Sequence, residues 1–355
     1  MIAGDGIGPE VVAAAIPSIE RAAAHDGATL AWEHLPLGAE HYLETGETLP
    51  DTIFDHLQHH VDAILLGALG DPRVPDNAHA RDILLGLRRR LDLYINFRPI
   101  RLLHPRLCAL TPVPCAAAQS GTLGDGRHID FVIFRENTEG AYLGRGTARD
   151  VGTPHEEQIA EEVHTAPNVT RILTAAFGWA RAHGRTRVTM ADKANAIPMH
   201  RLWQRMFDQV GKNFPGIEHE HRYVDALAME FVRSPERFQV IVTSNLFGDI
   251  LSDLGAGLIG GLGVAPSANL HPGRLGLFEP VHGSAPALVG TGTANPMAAI
   301  LTGALMLDQL GLPTAPRLLE DAVERAVATG VTTPDLGGTA STSAVAEWIE
   351  GYLPD

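Results

Sequence analysis

Short apolar runs of strand length recur along this chain, each closed by glycine or polar residues and each separated from the next by a segment of helical spacing. VDAILL (61–66) ends at Gly67, and IDFVIFREN (129–137) and FQVIVTSN (238–245) repeat the pattern. Runs this short and rich in β-branched residues read as buried strands, whereas 9–24, 78–90 and 161–182 carry apolar residues at helical intervals. Pro9 and Glu10 suit the first turn of the earliest helix. LYINFRPIRL (93–102) and RVTMADKAN (187–195) supply further strands, and a long helix begins near Pro296. Residues 140–152 hold four glycines, followed by Pro154, which suits an extended excursion; 107–119, with Pro112 and Pro114, suits a crossing between domains. Strands alternating with helices predict an α/β fold, with ligand chemistry at the strand ends.

A chain of 355 residues exceeds one ordinary core, so two domains are expected. The net charge of −15 argues against nucleic acid or an anionic membrane as partner. Cys108 and Cys115 are too few for a disulfide scaffold, no basic-then-apolar leader opens the chain, and no run of 18 apolar residues occurs. A reducing, cytoplasmic setting is the expectation.

NLFGDILSDL (245–254) places Asp249 and Asp253 four residues apart in a segment with helical spacing, so their Cβ atoms should stack about 5–6 Å apart. The ordinary reading of such a pair is a solvated acidic stripe. The glycine-rich, almost charge-free residues around it match a solvated face poorly, and like charges so close favour a hard divalent cation between them. GDGIGPE, near the N-terminus, lacks the third glycine of a dinucleotide fingerprint, Pro9 standing in its place, so no Rossmann site is expected there.

Together with LDLYINFRPIRL, FRENTEGAY, ADKAN, FEPVHGSAP, GTGTANP and TPDLGGTAST, these segments resemble the metal-dependent β-decarboxylating dehydrogenases, the isocitrate/isopropylmalate dehydrogenase family. The resemblance runs from residue 4 to about 342. It implies that family's fold, two domains around a central cleft: a large discontinuous domain from 1–99 and 250–355 carrying the cofactor loops, and a smaller one from 100–249 with the dimer interface and an arm. It also implies a homodimer with shared sites, oxidising a (2R)-hydroxy acid whose neighbouring carbon bears a carboxylate and then releasing that carboxylate as CO₂.

On the matching positions, Asp249 and Asp253 look like ligands for Mg²⁺ or Mn²⁺ from one subunit, with Asp225 from the other; alone, Asp225 reads as a helix cap. Arg88, Arg98 and Arg135 look like clamps on the substrate carboxylates, a task suited to the guanidinium fork, although Arg88 in an Arg-Arg-Arg run would otherwise be surface charge. Lys193 looks like the group that handles the hydroxyl proton, which requires a site favouring its neutral amine, and Tyr142 like the acid that protonates the enolate carbon. Asn195 looks like a nicotinamide or substrate contact. Glu279, His282, Gly283, Ser284, Ala285 and Asn295 match the adenosine-binding loop. Ala287 departs from the pattern: NAD-dependent members carry an Asp there, and Ala287–Leu288 is not the Lys–Tyr of NADP-dependent isocitrate enzymes either. With no basic group for a 2′-phosphate, NAD is expected rather than NADP.

The substrate turns on 81–98 and on Ala196. Asp82 stands where isocitrate enzymes use a serine and would repel an extra carboxylate. Leu84 and Leu85 resemble the apolar wall of 3-isopropylmalate dehydrogenases, and a hydrophobic pocket of this kind discriminates by about 1–3 kcal/mol per methylene. RENTEG, VGTPHE and LRRRLDLY look more like tartrate/D-malate or homoisocitrate enzymes, and Arg81 replaces the glutamate common in the isopropylmalate branch. The expectation is 3-isopropylmalate or a related 3-alkylmalate in leucine synthesis, with tartrate/D-malate and then homoisocitrate as alternatives. A non-catalytic subunit of the family would have lost the metal acids, Lys193 or Tyr142, and all are present.

Overall fold

The computed structural model describes residues 1–110 and 128–354. Most of the expected crossing segment 107–119, and Cys115 within it, lies outside the described residues. One eight-stranded sheet organises the rest. Its strands are β1 (Ala63–Leu65), β2 (Ile95–Arg101), β3 (Asp130–Glu136), β6 (Arg187–Asp192), β7 (Glu218–Tyr223), β8 (Val240–Thr243), β9 (Pro266–Leu270) and β10 (Gly276–Pro280), while β4 (Gly146–Arg149) and β5 (Glu157–Ala160) form a separate hairpin. The order β1-β10-β9-β2-β3-β8-β6-β7 is parallel at both ends and antiparallel through β10-β9-β2-β3. Pro99 in β2 lies beyond the stretch that pairs with β9, which ends at Phe97, so its missing N–H costs no bond on that side.

Helices cover the sheet: α1 (Gly8–His25), α2 (Ala39–Thr45), α3 (Asp51–His60), α4 (Ala78–Arg90), α5 (Ala166–Ala182), α6 (Arg201–Gly211), α7 (Val224–Arg233), α8 (Asn245–Leu258), α9 (Met297–Gln309), α10 (Ala315–Thr329) and α11 (Thr342–Tyr352). None of these is long and apolar enough to cross a membrane. The core falls into three clusters. The largest joins α1, α9, α10 and α11 to the inner strands; α5 and α6 seal β6 and β8 in a second; α3 and α4 close over β1 in a third. The second cluster includes an aromatic group on one sheet face, in which Phe97 and Phe134 meet edge-on with centroids 5.4 Å apart and both contact Trp179.

Most elements read from the sequence form with ends shifted by a few residues; the last expected helix, 161–182, starts later, at Ala166, where Thr165 caps it. β9 and β10 form where no strand was expected. Their prolines stand at the strand ends, Pro266 opening β9 and Pro280 closing β10, so the strands between them keep their ladder bonds. The expected excursion after Gly140 is the exposed β4–β5 hairpin, which requires glycine at 146 because an added Cβ would sit 2.0 Å from the Ile159 carbonyl oxygen.

Candidate active site

α8 explains the unusual composition around the carboxylate pair. Gly248 lies so close to the Arg135 side chain that an added Cβ would come within 2.5 Å of its Cγ, and at Gly255 a Cβ would meet Ile100 at 3.0 Å. The glycines therefore let α8 settle onto β2 and β3, and this close seating brings Asp249 to the arginines of those strands.

Arg88, Arg98 and Arg135 are all buried. On the antiparallel pair β2–β3, Asn96 stands opposite Arg135, and Arg98 follows two residues along on the same face. Arg135 donates from Nη1 to Asp249 Oδ1 at 2.5 Å and from Nε and Nη2 to Asn245 Oδ1. Arg98 Nη1 lies 3.3 Å from Asp253 Oδ1 and donates to Ser252 Oγ at 2.6 Å. Burial, together with the neighbouring cations Arg98 and Arg88, pulls Arg135 down to about 9, so it remains a cation at neutral pH.

An amide relay beneath these groups turns on Asn269, a residue outside the quoted motifs. Arg88 Nη2 donates to Glu279 Oε1 at 2.9 Å, and Asn269 Nδ2 donates to the same oxygen at 2.8 Å. Asn269 Oδ1 accepts from Asn96 and from Asn137, both at 2.9 Å, while Asn96 Oδ1 accepts Arg98 Nε at 2.6 Å. Asn269 thereby links the supports of Arg88 and Arg98 through a buried network whose central amide is satisfied at both ends. Glu279, expected in the cofactor loop, is engaged here as the partner of Arg88.

Tyr142 donates its hydroxyl to Asp249 Oδ2 at 2.5 Å. Burial, then this hydrogen bond and the aspartate charge, push the phenol up to about 12. Burial alone would raise Asp249, but Arg135, the Tyr142 hydroxyl and Arg98 outweigh it and hold the carboxyl below its ordinary value. Asp253 moves the other way, raised by burial and by Asp249 beyond what Arg98 offsets. Two carboxylates one helical turn apart, one of them destabilised by the other, form a hard-oxygen donor pair that fits a divalent cation.

Arg88, Arg98, Arg135, Tyr142 and Asp249 line a cleft of about 330 Å³ together with Leu84, Leu85, Arg81, His282 and Gly283; Asp253 lies outside that lining. A larger cavity of about 600 Å³ lies elsewhere, lined by Arg101, Arg185 and Arg317, none of them buried. The arginines of both cavities pair with carboxylates; those of the smaller cleft, Arg88 with Glu279, Arg98 with Asp253 and Arg135 with Asp249, differ in being buried. Asp82 is outside its lining and pairs with Arg81 at 3.4 Å.

Lys193 and Asp225 stand apart from this group and bond to each other, Nζ to Oδ1 at 2.6 Å; that bond holds Asp225 below its usual range. Asn195 and Ala196 form the exposed turn that follows, where Ala196 N–H donates to the Lys193 carbonyl. In the C-terminal loop, Ala285 adopts φ 39°, a left-handed conformation uncommon for a residue with a side chain. The GDGIG turn packs directly on this loop: Ile7 N–H donates to the Ser284 carbonyl at 2.9 Å, and a Cβ at Gly6 would lie 2.1 Å from that oxygen. The turn is thus a support for the loop, a role its lack of a fingerprint left unread. His282 is lowered by burial, Ala287 is exposed, and Asn295 caps Met297 N–H and donates to Asp335.

One further cluster was not foreseen. Glu162 faces two imidazoles, His164 Nε2 at 3.0 Å and His200 Nε2 at 3.1 Å, and the three ligand atoms lie within 4.8 Å of one another, close enough to hold a metal ion. The two imidazoles beside it, His164 first and then His200, hold the Glu162 carboxyl down at about 2.

Residues 1–349 match the isocitrate/isopropylmalate dehydrogenase family. The chain is 44% identical over 328 residues to a 3-isopropylmalate dehydrogenase of Beutenbergia cavernae, covering 91% of this chain and 90% of that protein. A 3-isopropylmalate dehydrogenase of Thermobifida fusca is 43% identical over 326 residues, 91% of this chain and 89% of its own length. Among solved structures, an isocitrate dehydrogenase from Methylococcus capsulatus superposes with a TM-score of 0.86 at 37% identity, covering 99% of this chain and 97% of its own.

Proposed function

Because the chain belongs to the isocitrate/isopropylmalate dehydrogenase family, we propose that it oxidises and decarboxylates 3-isopropylmalate or a related 3-alkylmalate, using NAD and Mg²⁺ or Mn²⁺. Oxidative decarboxylation of a hydroxy-dicarboxylate is the reaction of that family. The observation that carries the reading to this chain is the cleft in which buried Arg88, Arg98 and Arg135 converge beside Asp249 and Tyr142, with Leu84 and Leu85 on one wall.

Each residue then has a task. Arg98 and Arg135, with Arg88, take the substrate carboxylates, charges that their burial leaves poorly solvated until an anion arrives. Asp249 and Asp253, with Asp225 of a second copy, would hold the divalent ion, which supplies Lewis-acid polarisation of the hydroxyl and carboxylate oxygens. Lys193 would take the hydroxyl proton, and NAD, when bound, would supply the hydride acceptor for the oxidation. Loss of CO₂ leaves the bonding pair on the neighbouring carbon, and Tyr142 returns a proton there; its raised pKa keeps that proton in place until it is needed. The loop 282–296 holds no lysine or arginine to meet a 2′-phosphate, which supports NAD over NADP.

The homodimer belongs to this proposal. Met229 and Val232 on α7 and Ile250 on α8 are exposed apolar side chains on two helices that pack together, a face suited to a second copy. The Lys193–Asp225 pair bonds within itself and not to Asp249 or Asp253, as a half-site offered to another protomer would. We also assign the two-domain division at 1–99 with 250–355 and 100–249, a cytoplasmic location, and a place in leucine synthesis on this reading.

Arg81 on the cleft wall favours a second reading, an acid with a third carboxylate such as homoisocitrate. A panel of 3-isopropylmalate, D-malate, tartrate, isocitrate and homoisocitrate, each with NAD and with NADP, separates the two. The proposal expects the highest kcat/KM for the 3-alkylmalate with NAD. A preference for a tricarboxylate that is lost in Arg81→Ala would replace it with the second reading.

A further inference from the structure

We propose that Glu162, His164 and His200 form a second metal site, for a transition cation of the zinc class, and that filling it withdraws the acceptor that positions the Lys193 backbone. The second half rests on the reading of Lys193 as the proton-handling group; the first does not.

The three side chains arrive from different places. Glu162 and His164 follow β5, and His200 closes the turn Pro198–His200 before α6. His164 and His200 are 6% and 1% exposed. His164 Nε2 is buried and makes no hydrogen bond of acceptable geometry, although it faces Glu162 Oε1 at 3.0 Å. A buried nitrogen aimed at a carboxylate yet misaligned for a hydrogen bond is arranged as a ligand beside a ligand. Two imidazole nitrogens and one carboxylate oxygen suit zinc, copper or nickel, whereas Mg²⁺ prefers oxygen. Ligand bonds of about 2.0 Å around a tetrahedral ion set ligand–ligand spacings of roughly 3.3 Å. The imidazoles approach the two oxygens of one carboxylate, His164 Nε2 to Oε1 at 3.0 Å and His200 Nε2 to Oε2 at 3.1 Å, and one ligand atom from each residue lies within 4.8 Å of the others. Seating an ion needs the three groups to contract from that spacing, and the fourth position is left to water.

The coupling comes from the other nitrogen of His200. Its Nδ1 accepts the Lys193 backbone N–H at 3.2 Å. A neutral ring that accepts at Nδ1 carries its proton on Nε2, the atom an ion would use. Binding replaces the Nε2 proton and puts one on Nδ1, leaving the proton count of the ring unchanged but setting two donors head to head. The Lys193 turn must then move. By linkage, whatever holds the Lys193 turn in place opposes the metal to the same degree.

The test uses the dimeric enzyme in saturating Mg²⁺, titrated with zinc chloride while bound zinc is measured by calorimetry and turnover is followed in parallel. Zinc uptake at the acidic site is removed by comparison with His164→Gln and Glu162→Gln. The proposal expects one equivalent per chain in the wild type that both variants lose. It also expects kcat to fall at least tenfold on filling with substrate KM little changed, and His200→Asn, whose amide oxygen can still accept the Lys193 N–H, to resist zinc. Equal zinc uptake in the wild type and both variants overturns the site. Uptake that depends on these residues but leaves kcat untouched overturns the coupling while the site stands; the Lys193 reading is checked separately by Lys193→Met, which it expects to lose turnover, and a wild-type rate there overturns that reading alone.

Discussion

Asp249 shows how much one side chain is asked to do. It accepts from Arg135 and Tyr142, sits near Arg98, and shares a helix face with Asp253. The phenol it engages is raised to about 12 by burial first and by Asp249 second. A raised acid keeps its proton at every pH below that value, so Tyr142 should remain a competent donor across the working range. The ratio of wild-type to Tyr142→Phe turnover is therefore expected to stay flat from about pH 6 to about pH 10. A ratio that collapses partway through that range would show the proton leaving early. Asp249, Arg135 and Tyr142 could be singled out because they stand inside sequence motifs, and the roles given to them belong to the proposal. Glu162 and His200, which are 38 positions apart, could not be, since no local pattern records a contact made only by the fold.

At the scale of elements, α8 depends on the absence of side chains as much as on their presence. Gly248→Ala would drive a methyl into the Arg135 stem. Overpacking of this kind costs about 1–3 kcal/mol, and because the clash falls on Cβ, Cγ and Cδ, relieving it displaces the guanidinium beyond them. Substrate KM is expected to rise roughly tenfold or more, with far-ultraviolet dichroism unchanged; an unaltered KM would mean that Arg135 does not hold the substrate. The alternating strands and helices, the NLFGDILSDL helix and the strands β2 and β3 were readable from periodicity, though not their pairing. β9 and β10 were not, because short strands bounded by Pro266 and Pro280 resemble turn-rich loop sequence, and their outer pairings, β9 with β2 and β10 with β1, are made with strands distant in the chain. The amide relay through Asn269 was hidden for the same reason: it exists only once β9 lies between β2 and β10.

At the scale of the molecule, the proposal requires two chains to build one site. Asp225→Asn and Asp249→Asn homodimers should each be nearly inactive. If Asp225 serves the opposite protomer, co-refolding the two variants restores one intact site per mixed dimer, roughly a quarter of wild-type activity for random pairing. No recovery would place both aspartates in the same chain's site. The resemblance to a family was legible from ordered motifs over nearly the whole chain; the choice of acid was not, because it depends on a few wall residues, Leu84, Leu85 and Arg81, that the fold brings to one cleft. The most direct measurement of the central claim supplies 3-isopropylmalate, NAD and Mg²⁺ and counts both products. The account predicts reduced nicotinamide and CO₂ released one for one, with both lost in Asp249→Asn; reduced nicotinamide without CO₂, or neither product from any 3-alkylmalate, would contradict it.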